Sequence, residues 1–424
     1  MKVRSIHGYY YNEQKKKYFK ITKDFKPPPK LPTVRKCDNK HRKKQCSFAK
    51  EVYNRSIHGT SIVNFRRLQE HNFLSNMVFS RKSKSFPYPI PNNDGCYVQG
   101  TRITQCGRKL LVLVKNCGYL TNSLCEYDVY SSSMRKRPKT VKFSLDKIVC
   151  DNTNVTSFCW EPNDDKRILY SQVTETLLRP GFIKKSSSIV ISTLTADLQA
   201  ERESVVKLKK KNAYFNCVAW NQYEPDSNMF CAGDRSGSII LFDVNGTSRK
   251  LSIKSAPQVL TFCKTSPCLL IGCQAGLIHQ LDYRSNEFVH VSCFKKCHSI
   301  DCMKTLQDEN YIIASNWNGV IFLADMRMRK AVLKYKGHVN NHSNLSFEVD
   351  ARGEFLFAVG SDNQLRSWDI RNGLLEHASD ISPHGVVKSN VAVLQYSDRW
   401  NGDSTHAGLL CLNNDMYDFW KMTC

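Results

Sequence analysis

The 424-residue sequence predicts an all-β fold, a seven-bladed β-propeller preceded by a basic, largely irregular N-terminal arm. Three observations predict it. Past residue 90 the apolar residues alternate with period two, as half-buried strands require, and helical spacing is confined to one weak candidate at 197–211. A unit recurs there: a β run ending in small residues, a short polar turn, and a second run closing on aspartate. Its closing residues Asp243, Asp282, Asp325 and Asp369 stand 39, 43 and 44 residues apart, the period of a propeller blade. The charge, finally, divides the chain: of a net +24, the first 90 residues carry +17, and the remaining 334 have an ordinary balance.

The arm comes first. Residues 1–50 hold 16 Lys/Arg against three acids, and 51–90 add a further +4. The run 26–32 (KPPPKLP) reads as extended polyproline, and the prolines of 86–91 mark the boundary near residue 90, so the arm is 1–90 and the propeller 91–424. Within the arm, aromatic residues at 8–11 and 18–21 flank a polar stretch and predict a small hairpin over 8–21. A closed set of blades must avoid an exposed edge, usually by pairing an early strand with the last blade, and 74–80 (LSNMVFS) is the candidate closing strand.

The blades follow. Asp128 closes an early candidate, and 155–194 makes a second with a polar insertion at 174–188. Four readable copies occupy 229–244, 269–283, 311–326 and 354–370, and 391–420 supplies the last. Seven blades in roughly 330 residues give about 47 each, within the range of this class. Gly237, Gly276 and Gly319 provide the backbone freedom of each tight reversal, and Asn363 takes that place in the fourth copy.

Several function classes are excluded. The longest aliphatic run, 110–114, is far short of the roughly 20 residues of a membrane helix. The first 30 residues lack an apolar signal stretch, so an intracellular chain in nucleus or cytoplasm is expected. The 18 cysteines are then buried small hydrophobes and not disulfides. Cys293, Cys297, His298 and Cys302 form the best metal-like group, but no Cys-x-x-Cys occurs, so no metal is expected. Nucleotide, zinc-protease and serine-hydrolase signatures are missing; neither a cofactor nor a catalytic residue is expected.

What stands out is an arginine two residues after the repeat aspartate in three consecutive copies: Asp282 and Arg284, Asp325 and Arg327, Asp369 and Arg371. Alternation places each pair on one side of a strand end, so the three guanidiniums are expected as an unneutralised row along one edge. Such a row suits bidentate recognition of carboxylates on a protein partner.

Gly337-His338 followed by Trp368-Asp369 resembles the pairs that name the WD-repeat family. Phe242, Leu281 and Ala324 stand where Trp368 stands, each with its aspartate retained. The box formed by Trp368, Asp369 and Arg371 resembles that of WD-repeat substrate receptors of cullin-4 RING ubiquitin ligases. That resemblance implies docking of the box arginine onto a damaged-DNA-binding-protein adaptor. Asp325 with Arg327, and Asp282 with Arg284, match apart from the tryptophan. The opening tyrosines, Tyr9 to Tyr11 and Tyr18 with Phe19, are similar to the N-terminal signature of one branch, the fourth damaged-DNA-binding-protein and cullin-4 associated factor and its relatives. Together these resemblances imply a non-catalytic adaptor that presents an unknown target protein for ubiquitin transfer. The basic tracts in residues 1–50 leave a second reading open, a WD-repeat scaffold associated with nucleic acid.

Overall fold

The computed structural model describes residues 9–12, 17–20, 80–85 and 96–421, except 117–121, 133–139, 163–164, 180–181, 194–205, 211–213, 224–228, 244–246, 292–297, 342–344, 382–392, 404–406 and 414–415. The chain divides into two compact units, Met1–Asn72 and Phe73–Cys424. In the first, strand Tyr9–Asn12 pairs antiparallel with Lys17–Lys20, setting Tyr10 opposite Phe19 and Tyr11 opposite Tyr18. The expected 8–21 hairpin thus has paired strands.

The second unit is built from antiparallel sheets. Sheet 1 has seven strands in chain order: Cys96–Ile103, Lys109–Asn116, Asn122–Ser132, Thr140–Trp160, Arg167–Arg179, Phe182–Thr193 and Val206–Lys210. Sheets 2 to 5 have four each. Sheet 2 comprises Phe215–Trp220, Met229–Asp234, Ser238–Asp243 and Ser248–Ser252; sheet 3 comprises Pro257–Phe262, Cys268–Cys273, Ile278–Asp282 and Glu287–Val291. Ile300–Thr305, Tyr311–Asn316, Ile321–Asp325 and Lys330–Tyr335 form sheet 4, and Phe347–Val349, Phe355–Val359, Gln364–Asp369 and Leu375–Asp380 form sheet 5. Sheet 6 takes Val393–Ser397, Gly408–Asn413 and Met416–Lys421 and is completed by Ser80–Ser85.

Burial explains the order within a sheet. The second and third strands are nearly all apolar and buried, as in Tyr311–Asn316 and Ile321–Asp325, whereas fourth strands such as Ser248–Ser252 and Leu375–Asp380 are largely exposed. Strands covered on both faces read as continuous apolar runs, and an outer strand does not. The faces meet in apolar clusters between neighbours. Phe230 and Phe242 of sheet 2 pack on Leu169 and Ile191 of sheet 1, and Cys217, Cys231 and Ile239 pack on Leu260 and Leu269 of sheet 3. Sheet 6 returns to sheet 1 through Leu410, Tyr417 and Phe419 against Leu110, Val112 and Phe143. Two hydrogen bonds join the same sheets: Thr101 Oγ1 donates to the Leu394 carbonyl at 3.5 Å, and the Tyr417 hydroxyl to the Val141 carbonyl at 3.2 Å. This closed circuit of stacked antiparallel sheets is a β-propeller.

Within the second unit the described strands form six sheets where seven blades are expected, because the 21-residue strand Thr140–Trp160 serves two partners: residues 140–153 pair with Asn122–Ser132, and 154–160 with Arg167–Arg179. The halves of sheet 1 nevertheless pack face to face, with Leu111 and Leu124 against Val155 and Tyr170. The polar insertion at 174–188 is a strand hairpin, in register from Thr174 opposite Ser186 to Leu177 opposite Ile183, with a shift before Arg179 opposite Phe182. In the weak helical candidate 197–211, the described part is strand Val206–Lys210, whose alternating Val, Lys and Leu suit a sheet edge; 197–205 lie outside the described residues. Asp128 lies inside Asn122–Ser132 instead of ending it.

The closing strand is Ser80–Ser85, paired with Met416–Lys421. It shares only Ser80 with the expected 74–80, whose other residues lie outside the described ones. The vacant place in sheet 6 is the outer one, where other sheets carry polar strands, and SRKSKS is such a sequence.

The turns follow expectation closely. Gly237, Gly276, Gly319 and Asn363 have φ of 83°, 77°, 75° and 55°, a left-handed conformation that glycine and asparagine tolerate. At Gly319 the packing is also tight, since a Cβ would lie 2.9 Å from the Asn340 backbone nitrogen.

Candidate docking edge

Asp282, Asp325 and Asp369 each end the third strand of sheets 3, 4 and 5, opposite Cys268, Tyr311 and Phe355 of the second strands. Their matching register sets the three following turns on the same edge. Each carboxylate organises its turn: Oδ1 accepts the backbone N–H of Arg284 at 2.9 Å, of Arg327 at 2.8 Å and of Arg371 at 2.8 Å. A residue with positive φ follows four positions after each aspartate, at Asn286, Arg329 and Gly373. The conserved geometry is therefore an aspartate-closed turn that sends the arginine side chain outward.

The arginine side chains are 62%, 61% and 52% exposed at Arg284, Arg327 and Arg371. They are not unneutralised, which corrects the expectation. Arg284 Nε lies 3.8 Å from Asp282 Oδ1. Arg327 is engaged most: its Nη2 donates to Asp325 Oδ2 at 3.1 Å and to the Tyr311 hydroxyl at 3.1 Å, with the guanidinium 5.5 Å from the Tyr311 ring centroid. That hydrogen-bonded guanidinium holds the Asp325 carboxyl below the usual carboxylate range. Arg371 leaves its own aspartate to the Asn372 amide, which donates to Asp369 Oδ2 at 2.6 Å, and approaches Glu354 at 3.9 Å. Glu354 is 17 residues away in sequence, so spacing gave no signal for it. Exposed pairs of this kind hold charge loosely, and a partner's carboxylate can compete for them.

Trp368 is fully buried, so it is a packing residue and has no surface to offer. Its indole N–H donates to the Lys336 carbonyl at 2.8 Å, and its ring meets Tyr335 and His338 edge-on at 6.5 and 6.4 Å. Burial pushes the His338 imidazole down to about 4, which keeps it neutral in this core. Asp325 and Asp369 are buried as well, so among the seven predicted residues the exposed groups are the arginines, with Asp282 half-buried. In the degenerate copies Phe242 stacks on Phe230 at 5.1 Å, Leu281 is fully buried, and Ala324 is fully buried in an apolar cluster with Ile312, Phe322 and Met326.

Of the metal-like group, His298 and Cys302 are described while Cys293 and Cys297 lie outside the described residues. Among the described residues no set of three His, Cys, Asp or Glu could hold a metal ion, and no helix is long and apolar enough to cross a membrane. Of the cysteines expected to be buried, Cys125, Cys217, Cys231, Cys263, Cys273 and Cys411 are buried among the described residues, whereas Cys106, Cys150, Cys159, Cys268 and Cys302 are only partly so.

Stacked four-stranded sheets, aspartate-closed third strands and a buried tryptophan against a glycine-histidine pair define a β-propeller of the WD-repeat class. A family model described as the DDB1- and CUL4-associated factor 4 beta-propeller domain matches residues 109–420, and the chain belongs to that family. It is 25% identical over 298 residues to DDB1- and CUL4-associated factor 4 of Homo sapiens, covering 69% of this chain and 59% of that protein. To the Bos taurus protein of the same name it is 28% identical over 205 residues, 47% of this chain and 41% of that one. Over 205 residues it is 27% identical to the human DDB1- and CUL4-associated factor 4-like protein 2, 47% of this chain and 52% of that protein. The chain thus spans between about two fifths and three fifths of the length of these curated relatives.

Proposed function

We propose that this protein is an intracellular, non-catalytic substrate receptor of a cullin-4 RING ubiquitin ligase. Arg284, Arg327 and Arg371 dock onto the damaged-DNA-binding-protein adaptor, and the receptor presents a target protein for ubiquitin transfer. Its propeller, 91–424 with the closing strand before it, has seven blades, the halves of sheet 1 counting as two; the seven apolar clusters support that count. The observation that carries the docking role is the repetition of one aspartate-closed, arginine-bearing turn at equivalent corners of three consecutive sheets. The names of the relatives, which speak of association with DDB1 and CUL4, support the choice of partner. Catalysis belongs to the complex, and the receptor contributes proximity.

The test is co-purification with the purified adaptor–cullin complex. Arg371→Glu combined with Arg327→Glu should abolish it at unchanged melting temperature, since both side chains are more than half exposed. Retained binding would reject the docking role. The +13 of residues 1–50 favours a second reading, association with nucleic acid through the arm. In that case deleting 1–50 removes salt-sensitive retention on nucleic acid and leaves the adaptor bound.

A further inference from the structure

In sheets 3, 4 and 5 the turn between the first and second strands lies on the same edge as the arginine turn and is bonded to it. The residue between aspartate and arginine donates its backbone N–H there: Tyr283 to the Pro267 carbonyl at 3.3 Å, Met326 to the Asn310 carbonyl at 2.8 Å, and Ile370 to the Glu354 carbonyl at 2.9 Å. The place of each arginine on the edge therefore follows the inner turn of its own sheet. Those inner turns also hold one another. The Glu309 carboxylate of sheet 4 accepts the backbone N–H of Lys264, the backbone N–H of Thr265 at 3.0 Å, and the Thr265 hydroxyl, all from sheet 3. On the other side, Gln307 Nε2 donates to the Ala351 carbonyl of sheet 5. The partners stand 44 or 45 residues apart, about one blade period, so equivalent turns are joined.

Glu309 is out of keeping with local preference. Three inner turns share one pattern, in which the first residue accepts the N–H three positions on and donates its own to the carbonyl five positions on; they begin at Thr104, Leu306 and Asp350. Their fourth residues are Gly107, Glu309 and Gly353, with φ of 72°, 51° and 68°. Two are glycine, as a left-handed conformation favours, and the third is a glutamate whose Cβ that conformation crowds. A residue kept against its local propensity calls for a compensating task, and the task visible here is the bond from sheet 4 to sheet 3.

We propose that Glu309 is a positioning residue for adaptor docking: by clamping the inner turns of sheets 3 and 4 together it fixes Arg284 relative to Arg327, and Gln307 does the same for Arg371 across to sheet 5. The proposal rests on the receptor reading above and supplies what makes three separate arginines one surface. A partner that engages the three guanidiniums at once gains from their preset spacing, because turns and side chains ordered only on binding cost affinity. The bonds of the clamp lie at the surface, outside the apolar clusters of sheets 3 to 5, so the core does not depend on them.

The test measures the affinity of the full chain for the purified adaptor by calorimetry in crossed variants. Glu309→Gly and Glu309→Asn both accept positive φ and withdraw the carboxylate; each should weaken binding about fivefold at unchanged melting temperature. Glu309→Gln, which keeps one acceptor oxygen in the same place, should recover most of the loss. The decisive readout is the cycle with the arginines. In an Arg284→Ala protein no docking arginine of sheet 3 remains to be placed, so Glu309→Gly should have no further effect, whereas in an Arg371→Ala protein its effect should persist in full. Gln307→Ala should show the mirror pattern, silent with Arg371→Ala and active with Arg284→Ala. Unchanged affinity in both Glu309 variants, or a loss of equal size with and without Arg284, would overturn the role, the latter because it would make Glu309 a direct contact or a general support. The two readings fail separately. Adaptor retained by the doubly reversed Arg327 and Arg371 protein refutes the docking role, while loss there with no effect of Glu309→Gly refutes only the positioning.

Discussion

Replacing Asp301 with asparagine should make this protein more stable at neutral pH, the reverse of what most substitutions of partly buried residues do. Burial pushes the Asp301 carboxyl up to about 8, with the Ser299 hydroxyl offsetting part of the rise, while an aspartate in the unfolded chain ionises near 4. At pH 7 the folded protein holds a proton that the unfolded chain gives up. The cost is about 1.4 kcal/mol for each of roughly three pH units, so about 4 kcal/mol as a ceiling, and about 2 kcal/mol once partial access to water is allowed for. The sign fixes the pH window. Below about pH 4 both states are protonated and the cost vanishes; it grows as pH rises toward 8 and is constant above. An amide of the same shape does not titrate. Urea denaturation of parent and variant at pH 4.5, 6, 7 and 8 should therefore give midpoints that nearly coincide at the acid end and separate steadily, the variant ahead. A variant less stable than the parent at pH 7, or a difference flat across the series, would show that Asp301 is already satisfied.

Three further outcomes follow from the packing and the turns. Trp368→Ala empties a fully buried site and breaks the bond to the Lys336 carbonyl, and should cost about 3–5 kcal/mol by denaturation, with adaptor binding lost only as the fold is lost. Gly319→Ala forces a side chain into φ 75° and within 2.9 Å of the Asn340 nitrogen, and should lower stability by about 1–3 kcal/mol; Asn363→Gly, at φ 55°, should be within about 1 kcal/mol of neutral. Reversing Arg284 alone should weaken adaptor binding less than reversing Arg327 and Arg371 together, because a single exposed arginine of three is lost; calorimetry on the purified pair ranks them.

The parts of the fold legible in sequence are those fixed by local chemistry. Gly237, Gly276, Gly319 and Asn363 announce their turns because few residues adopt positive φ, and the closing aspartates announce theirs because a carboxylate two residues before an N–H completes the turn. What escaped depends on neighbours distant in the chain. The polar character of Ser80–Ser85 makes sense only once the vacant place in sheet 6 is known to be the outer one. The long strand Thr140–Trp160 reads as two elements because its alternation is interrupted where it changes partners. At the candidate site, spacing revealed the three arginines and the aspartates that pair with Arg284 and Arg327, but not the partners distant in sequence, since Glu354 reaches Arg371 from just before another strand and Tyr311 reaches Arg327 from the start of one.

Pairing Ser80–Ser85 with Met416–Lys421 also imposes an order of events on a ribosome. The six early residues emerge first and then wait for a partner more than 300 residues downstream, an interval of roughly 20 to 70 s at ordinary elongation rates. Until then the nascent molecule carries an unfilled seat at its end and a loose, lysine-rich ribbon at its beginning. Keeping that ribbon too polar to settle elsewhere means that the latch which shuts the structure last is also the segment least able to jam it early.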